Sequence, residues 1–210
     1  MEVDEARARM REIQRIMETA TLFTLLPGTA AVVGGVLVLL GCGISYGLLN
    51  SLDFADILRL STPARVSLCL MWFAIAAASV AVNALLTARL AARQRLALHR
   101  RPARVATFSM TPCVVVALVL TLQFFVEAQP REIRYIAPVW ILLYGTGVYT
   151  AGLFSIRAPR VLGLAFLLTG IVALLGFPDY GVISVGVSFG LLHVAFGAYV
   201  LTKQRQVAAP

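Results

Sequence analysis

Residues 113–120 read Cys113-Val114-Val115-Val116-Ala117-Leu118-Val119-Leu120, eight apolar side chains in succession. A strand of a membrane barrel alternates apolar and polar positions over about 10 residues. This stretch does not alternate. The apolar run extends over about 105–128, longer than the ~20 residues with which a helix crosses hydrocarbon. Backbone N–H and C=O groups in lipid must be paired within the segment itself, so the run is read as a transmembrane helix.

Five more runs of this kind lie at about 24–49, 66–88, 135–155, 161–177 and 182–201. The breaks between the six are charged or turn-forming. The first, Asn50 to Arg65, holds Asp53, Asp56, Arg59 and Arg65, and the second, Arg89 to Arg104, is densely basic. The others are Gln129-Pro130-Arg131-Glu132-Ile133-Arg134, Arg157-Ala158-Pro159-Arg160 and Pro178-Asp179-Tyr180-Gly181. The reading is an all-α polytopic membrane protein. A cytoplasmic amphipathic helix over 1–20 precedes a six-helix bundle over 22–201, and a short cytoplasmic tail follows at 202–210. Composition agrees: 60% of the 210 residues are hydrophobic and 13% charged, against ~45–50% and ~25% in soluble domains. That excludes an ordinary soluble globule, a disordered chain and a disulfide-stapled secreted module.

The cations give the orientation. With the N-terminus inside, fourteen of the eighteen Lys and Arg residues face the cytoplasm, as the positive-inside rule requires. Both termini are therefore expected there. Topology explains the net charge of +8, so nucleic acid is not an expected partner. Residues 1–20 lack the apolar core of a cleavable signal, and the first helix is expected to serve as its own. Arginine outnumbers lysine seventeen to one, which points to a GC-rich bacterial genome. The expected location is the bacterial inner (cytoplasmic) membrane.

Val3, Ala6, Met10, Ile13, Met17 and Ala20 form an apolar seam with a period near 3.5, and acids crowd its first turn. Such a helix could pair with a second copy, lie on the membrane, or pack across the mouth of its own bundle. Arg93, Arg95, Arg100, Arg101 and Arg104 are the candidate contacts for anionic lipid. The plainer explanation, and the preferred one, is a positive-inside anchor without a partner.

Small residues must hold the helices together, because lipid is as apolar as they are. Gly43 and Gly47 on the first helix, Gly145 on the fourth, and Gly186, Gly190 and Gly197 on the sixth are the expected packing positions. Pro27, Gly34 and Gly41 echo Pro138, Gly145 and Gly152 in seven-residue steps. Because the fourth helix starts from the opposite side, the echo would make two inverted three-helix halves, an arrangement common in transporters.

His193 is the ionisable residue near a helix midpoint, and such a residue is a candidate ligand or proton site. Tyr144, Tyr149, Asn83, Thr146 and Thr169 are its candidate partners. The plainer alternative is a neutral imidazole that only packs. Trp72 and Trp140 fit an interfacial aromatic belt. Cys42, Cys69 and Cys113 lie on three helices without C-x-x-C spacing and read as packing residues, not metal ligands. A haem with two axial histidines lacks its second imidazole. An intramembrane serine protease lacks a serine at Gly145-Thr146-Gly147-Val148. No H-E-x-x-H, P-loop or paired transmembrane carboxylate occurs. No catalytic residue, metal or cofactor is expected.

Four stretches carry a resemblance: Met17-Glu18-Thr19-Ala20-Thr21-Leu22-Phe23, Ala137-Pro138 through Leu143-Tyr144-Gly145, Ile156-Arg157 through Val161-Leu162-Gly163, and Ser188-Phe189-Gly190-Leu191-Leu192-His193. In these the chain resembles a family of bacterial six-helix membrane proteins to which no activity is assigned. The likeness covers the first helix and the last three; helices two and three match in hydropathy alone, and Pro159 departs from the pattern. It implies the topology and draws attention to His193. The functional expectation is a non-enzymatic bundle that binds a small molecule or lipid or modulates a partner. The alternative is a small secondary transporter with a midplane histidine. Candidate partners are the bilayer, anionic lipid and a second copy of the chain.

Overall fold

The computed structural model describes residues 9, 27–93, 101–127, 130–153 and 157–208. The expected amphipathic helix over 1–20 lies outside them except for Arg9, as do Arg95, His99 and Arg100. The described residues are helical, without a strand. Six helices are long and apolar enough to cross a membrane. They are α1 (Gly28–Leu49), α2 (Thr62–Arg93), α3 (Arg101–Glu127), α4 (Ile136–Leu153), α5 (Arg157–Gly176) and α6. The last is a continuous rod in three segments, Gly181–Val185, Gly186–Leu192 and His193–Ala208. Arg93 ends α2, and Arg101 and Arg104 open α3.

The helices pack in the order α2–α1–α6–α5–α4–α3, and the first segment of α6 also meets α4. Among the described residues, α2 and α3 do not pack along one another. Both are peripheral, whereas α1, α4, α5 and α6 bury far more of their length.

Glycine sets the closest approaches. A Cβ on Gly35 would stand 2.6 Å from the Gly190 carbonyl oxygen, and one on Gly197 would stand 2.5 Å from that of Gly28. Gly28 and Gly35 face Gly197 and Gly190, so each helix carries its glycines two turns apart on one side. The α4–α5 hairpin is built alike. Cβ atoms on Gly145, Gly152 and Gly163 would meet backbone nitrogens of the partner helix at 3.0, 2.7 and 2.5 Å. Gly186 makes only an ordinary contact, 3.6 Å from the Cys42 Sγ.

Gly43 and Gly47, expected at the packed centre, have nothing within 4 Å of a built Cβ. The reason is angular. Gly28 and Gly35 fix the face that α1 turns to α6, Gly34 and Gly41 turn to α2, and 43 and 47 fall outside both. Gly34 faces Ser79, and Gly41 faces Ile75 and Trp72. The tryptophans also turn inward: Trp72 Nε1 donates to Ser45 Oγ at 3.0 Å, and Trp140 Nε1 to Thr121 Oγ1 at 2.8 Å. An indole N–H in an apolar setting needs an acceptor, and here a neighbouring helix supplies it.

One end of the bundle is capped by 50–61, 130–135 and 177–181. α1 stops at Asn50, whose φ of 50° is left-handed and whose N–H bonds the Tyr46 carbonyl. A 3-10 turn, Phe54–Arg59, then tucks Ala55 and Ile57 against Leu68 and Ile133, with Phe125 of α3 on the same cluster. The Arg65 guanidinium holds the turn by donating to the Leu58 and Leu60 carbonyls.

Overpacking a tight contact costs about 1–3 kcal/mol. Gly35→Val and Gly197→Val are therefore expected to lower the unfolding temperature in detergent sharply. Gly43→Ala and Gly47→Ala should leave it nearly unchanged, since changes in open space stay within about 0.5 kcal/mol. Equal losses at all four positions would show that the seam is misassigned.

Candidate functional site

The middle segment of α6, Gly186–Leu192, is a π-helix. Such segments are rare, and they gather at functional sites. Wider winding disturbs the hydrogen-bond ladder, and Ser188, wholly buried, answers it by donating to the Ser184 carbonyl at 2.6 Å. Gly190 lets Leu39 of α1 press against the segment, 2.6 Å from where a Cβ would be.

His193 follows the π segment directly. Its Nε2 is 2.8 Å from the Tyr144 hydroxyl on α4. Three rings enclose the imidazole: Tyr144 at 5.4 Å, Phe166 of α5 edge-on at 5.2 Å, and Phe189 stacked at 6.1 Å and 10°. Tyr144 itself packs on Phe166 and Phe189 at 4.8 and 5.0 Å. Three helices thus meet around one hydrogen bond. The Phe189 and Ser188 carbonyls of its own helix lie within reach of the imidazole, but neither meets the buried Nδ1 in good hydrogen-bond geometry. If the tyrosine donates to Nε2, Nδ1 carries the proton and is a donor. If Nε2 donates, Nδ1 is an acceptor. As a donor Nδ1 has only those two poorly aligned carbonyls to turn to; as an acceptor it has no donor beside it.

The structure therefore brings Tyr144 to His193 but not the other expected partners. Tyr149 lies five residues further along α4, about 140° around the helix at 3.6 residues per turn. It is 38% exposed, with its backbone against Gly163. Asn83 is exposed on α2, which packs on α1, away from α4 and α5. Thr146 and Thr169 spend their hydroxyls on carbonyls of their own helices. Phe166, Phe189 and Ser188 are the site residues that the sequence reading missed. The four-residue spacing of Phe189 and His193 was a usable signal for one of them. Among the described residues, no three His, Cys, Asp or Glu side chains converge as a metal site, and the three cysteines are free.

A second polar cluster sits at the capped end. Arg134 bonds Asp179 at 2.8 Å and approaches Asp53 at 4.0 Å, while Arg59 pairs with Asp56 at 3.0 Å. These five residues, with Ala55 and Leu58, line a cavity of about 320 Å³. Asp53 also caps the 3-10 turn by accepting from the Ala55 N–H at 2.8 Å. Comparison of the chain with protein-family models, curated proteins and solved structures finds no match.

Burial pushes the Asp53 carboxyl above its ordinary pKa, against the lowering effects of the Ala55 N–H and the Arg134 charge. The folded protein then holds this proton to higher pH than the unfolded chain, so this contribution to stability declines as pH rises from the ordinary carboxylate range through the raised value. Asp53→Asn should accordingly raise the unfolding temperature at pH 7, with the gain fading as the pH is lowered below that range. A variant less stable than the parent across the whole series would show that the ionic contacts outweigh burial.

Proposed function

We propose that this chain is a non-enzymatic, multi-pass protein of the bacterial inner membrane, with both termini in the cytoplasm, that binds an uncharged and largely apolar molecule or lipid at His193 and Tyr144. The supporting observation is the unpaired Nδ1 inside a box of three aromatic rings. A buried polar atom without a partner costs about 1–3 kcal/mol. A ligand with a single hydrogen-bonding group would satisfy it, while Phe166 and Phe189 cover its apolar body. The gathering of arginine at alternate breaks supports the orientation.

A second reading, a small secondary transporter of two inverted halves, is favoured by one further observation. Gly34 and Gly41 of α1 face α2, and Gly145 and Gly152, their counterparts in the echo, face α5. α1 packs on α6, and α4 on α3. Matching helices of the two halves thus take matching neighbours, and three crossings per half make those halves antiparallel.

The test is the molecule carried through purification. Parent protein in nanodiscs is expected to retain a small molecule or lipid visible by native mass spectrometry. His193→Phe in a Tyr144→Phe background, where no buried hydroxyl is stranded, should lower its occupancy about tenfold relative to Tyr144→Phe alone, the equivalent of one hydrogen bond of about 1.4 kcal/mol, without further lowering the unfolding temperature. A double variant that melts earlier than Tyr144→Phe while the bound species is unchanged would reduce the pair to a packing device.

A further inference from the structure

We infer that the bundle works as two rigid three-helix bodies, α1–α2–α6 and α3–α4–α5, that rock about the capped end, so that closing α2 on α3 parts α5 from α6 and opens the way to His193. The inference rests on the inverted-halves reading and deepens the binding reading by naming the route that a ligand would take.

Seam chemistry divides the bodies. Within the first, α1 meets α6 backbone to backbone at Gly35–Gly190 and Gly28–Gly197, and α2 lies on Gly34 and Gly41. Within the second, α4 meets α5 through Gly145, Gly152 and Gly163, and Gly147 lies 2.7 Å, measured from a built Cβ, from the Met110 Sδ of α3. The α1–α6 and α4–α5 seams admit no added atom and so hold as units, while α2 and α3 ride on them through the side chains of Ser79, Ile75 and Met110. Between the bodies the contacts run through side chains. Phe166 of α5 sits edge-on to Phe189 at 5.1 Å and to His193 at 5.2 Å, and Tyr144 of α4 bonds His193. Ala137 of α4 packs with Val38, Cys42, Val182 and Val185 of α1 and α6. Ring contacts can slide and part where backbone contacts cannot.

The inverted relation supplies the second arrangement. It carries α1, α2 and α6 onto α4, α5 and α3, so one body becomes the other. The contact between α5 and α6 then becomes a contact between α2 and α3, the pair that stands apart here. Two inverted copies that meet on one side only define a second state in which they meet on the other. The pivot lies at the capped end. There Phe125 of α3 and Leu68 of α2 share one apolar cluster, and Arg134 of the second body reaches Asp53 and Asp179 of the first. The π segment spans both kinds of contact, with Gly190 on the tight α1 seam and Phe189 on the seam that parts, and an irregular backbone there can absorb a change of helix register.

Spin-label distances test this. With Cys42, Cys69 and Cys113 replaced by alanine, labels at Leu85→Cys and Phe108→Cys report on α2–α3. Labels at Val161→Cys and Tyr199→Cys report on α5–α6; all four parent residues are exposed. Phe166→Ala, which removes the α5 ring from Phe189 and His193 and also from Tyr144 of α4, is expected to lengthen the second distance by several ångströms and shorten the first. Phe166→Leu repeats the test with bulk retained. Lengthening of α5–α6 with α2–α3 unmoved, or no change in either pair for both variants, would overturn the inference. Native mass spectrometry on the same samples separates the two readings. Reciprocal movement without a bound species leaves the rocking and removes the binding; a bound species without movement does the reverse.

Discussion

The structure depends on backbone meeting backbone at glycine. Lipid supplies no hydrophobic drive between helices, so association has to come from close dispersion contact and interhelical hydrogen bonds. Gly28 and Gly35 against Gly197 and Gly190 give α1 and α6 that contact, and Gly145, Gly152 and Gly163 give it to α4 and α5. Everything else hangs from these two pairs. α2 and α3 lie on the outer flanks, and the capped end ties the pairs together through Ile57, Leu68, Ile133 and the Arg134 ion pairs.

Tight seams on two sides leave the third contact, α5 to α6, to be filled by large side chains. Phe166, wholly buried, and Phe189 do this, and Tyr144 and His193 join them. The π segment is the local consequence on α6. Glycine at 186 and 190 removes side chains that would resist wider winding, Leu39 presses into the opening, and Ser188 repairs the ladder. His193 is thereby set at the junction of three helices, with one nitrogen bonded and the other not. A polar pair at the softest seam of a rigid bundle is a reasonable place for a ligand. It lies off the seams that hold the fold.

Much of this was legible in the sequence. Uninterrupted runs such as Cys113–Leu120 required helices, and the charged breaks gave six of them. His193 and Tyr144 stood out as polar groups in apolar runs. Helix facing was harder. A G-x-x-x-G at 43 and 47 looks like a packing face, but the working glycines are spaced by seven, and only the partner helix reveals which set is used. Tyr149 and Asn83 failed for the same reason, since hydropathy does not say where a transmembrane side chain points. The π segment had no signature in the sequence, and the Leu39 that packs on its Gly190 comes from another helix. Phe166 could not be tied to His193 without knowing that α5 and α6 are neighbours.

The most direct measurement is an experimental density map of the protein in a lipid nanodisc, at a resolution that separates side chains around residue 193. The account predicts non-protein density beside the imidazole, with a polar feature within hydrogen-bond distance of the His193 Nδ1 and the Tyr144 contact retained at Nε2. A centre filled by protein alone, with Nδ1 bonded to the Ser188 or Phe189 carbonyl, would contradict it and leave the imidazole as a structural element of the helix junction.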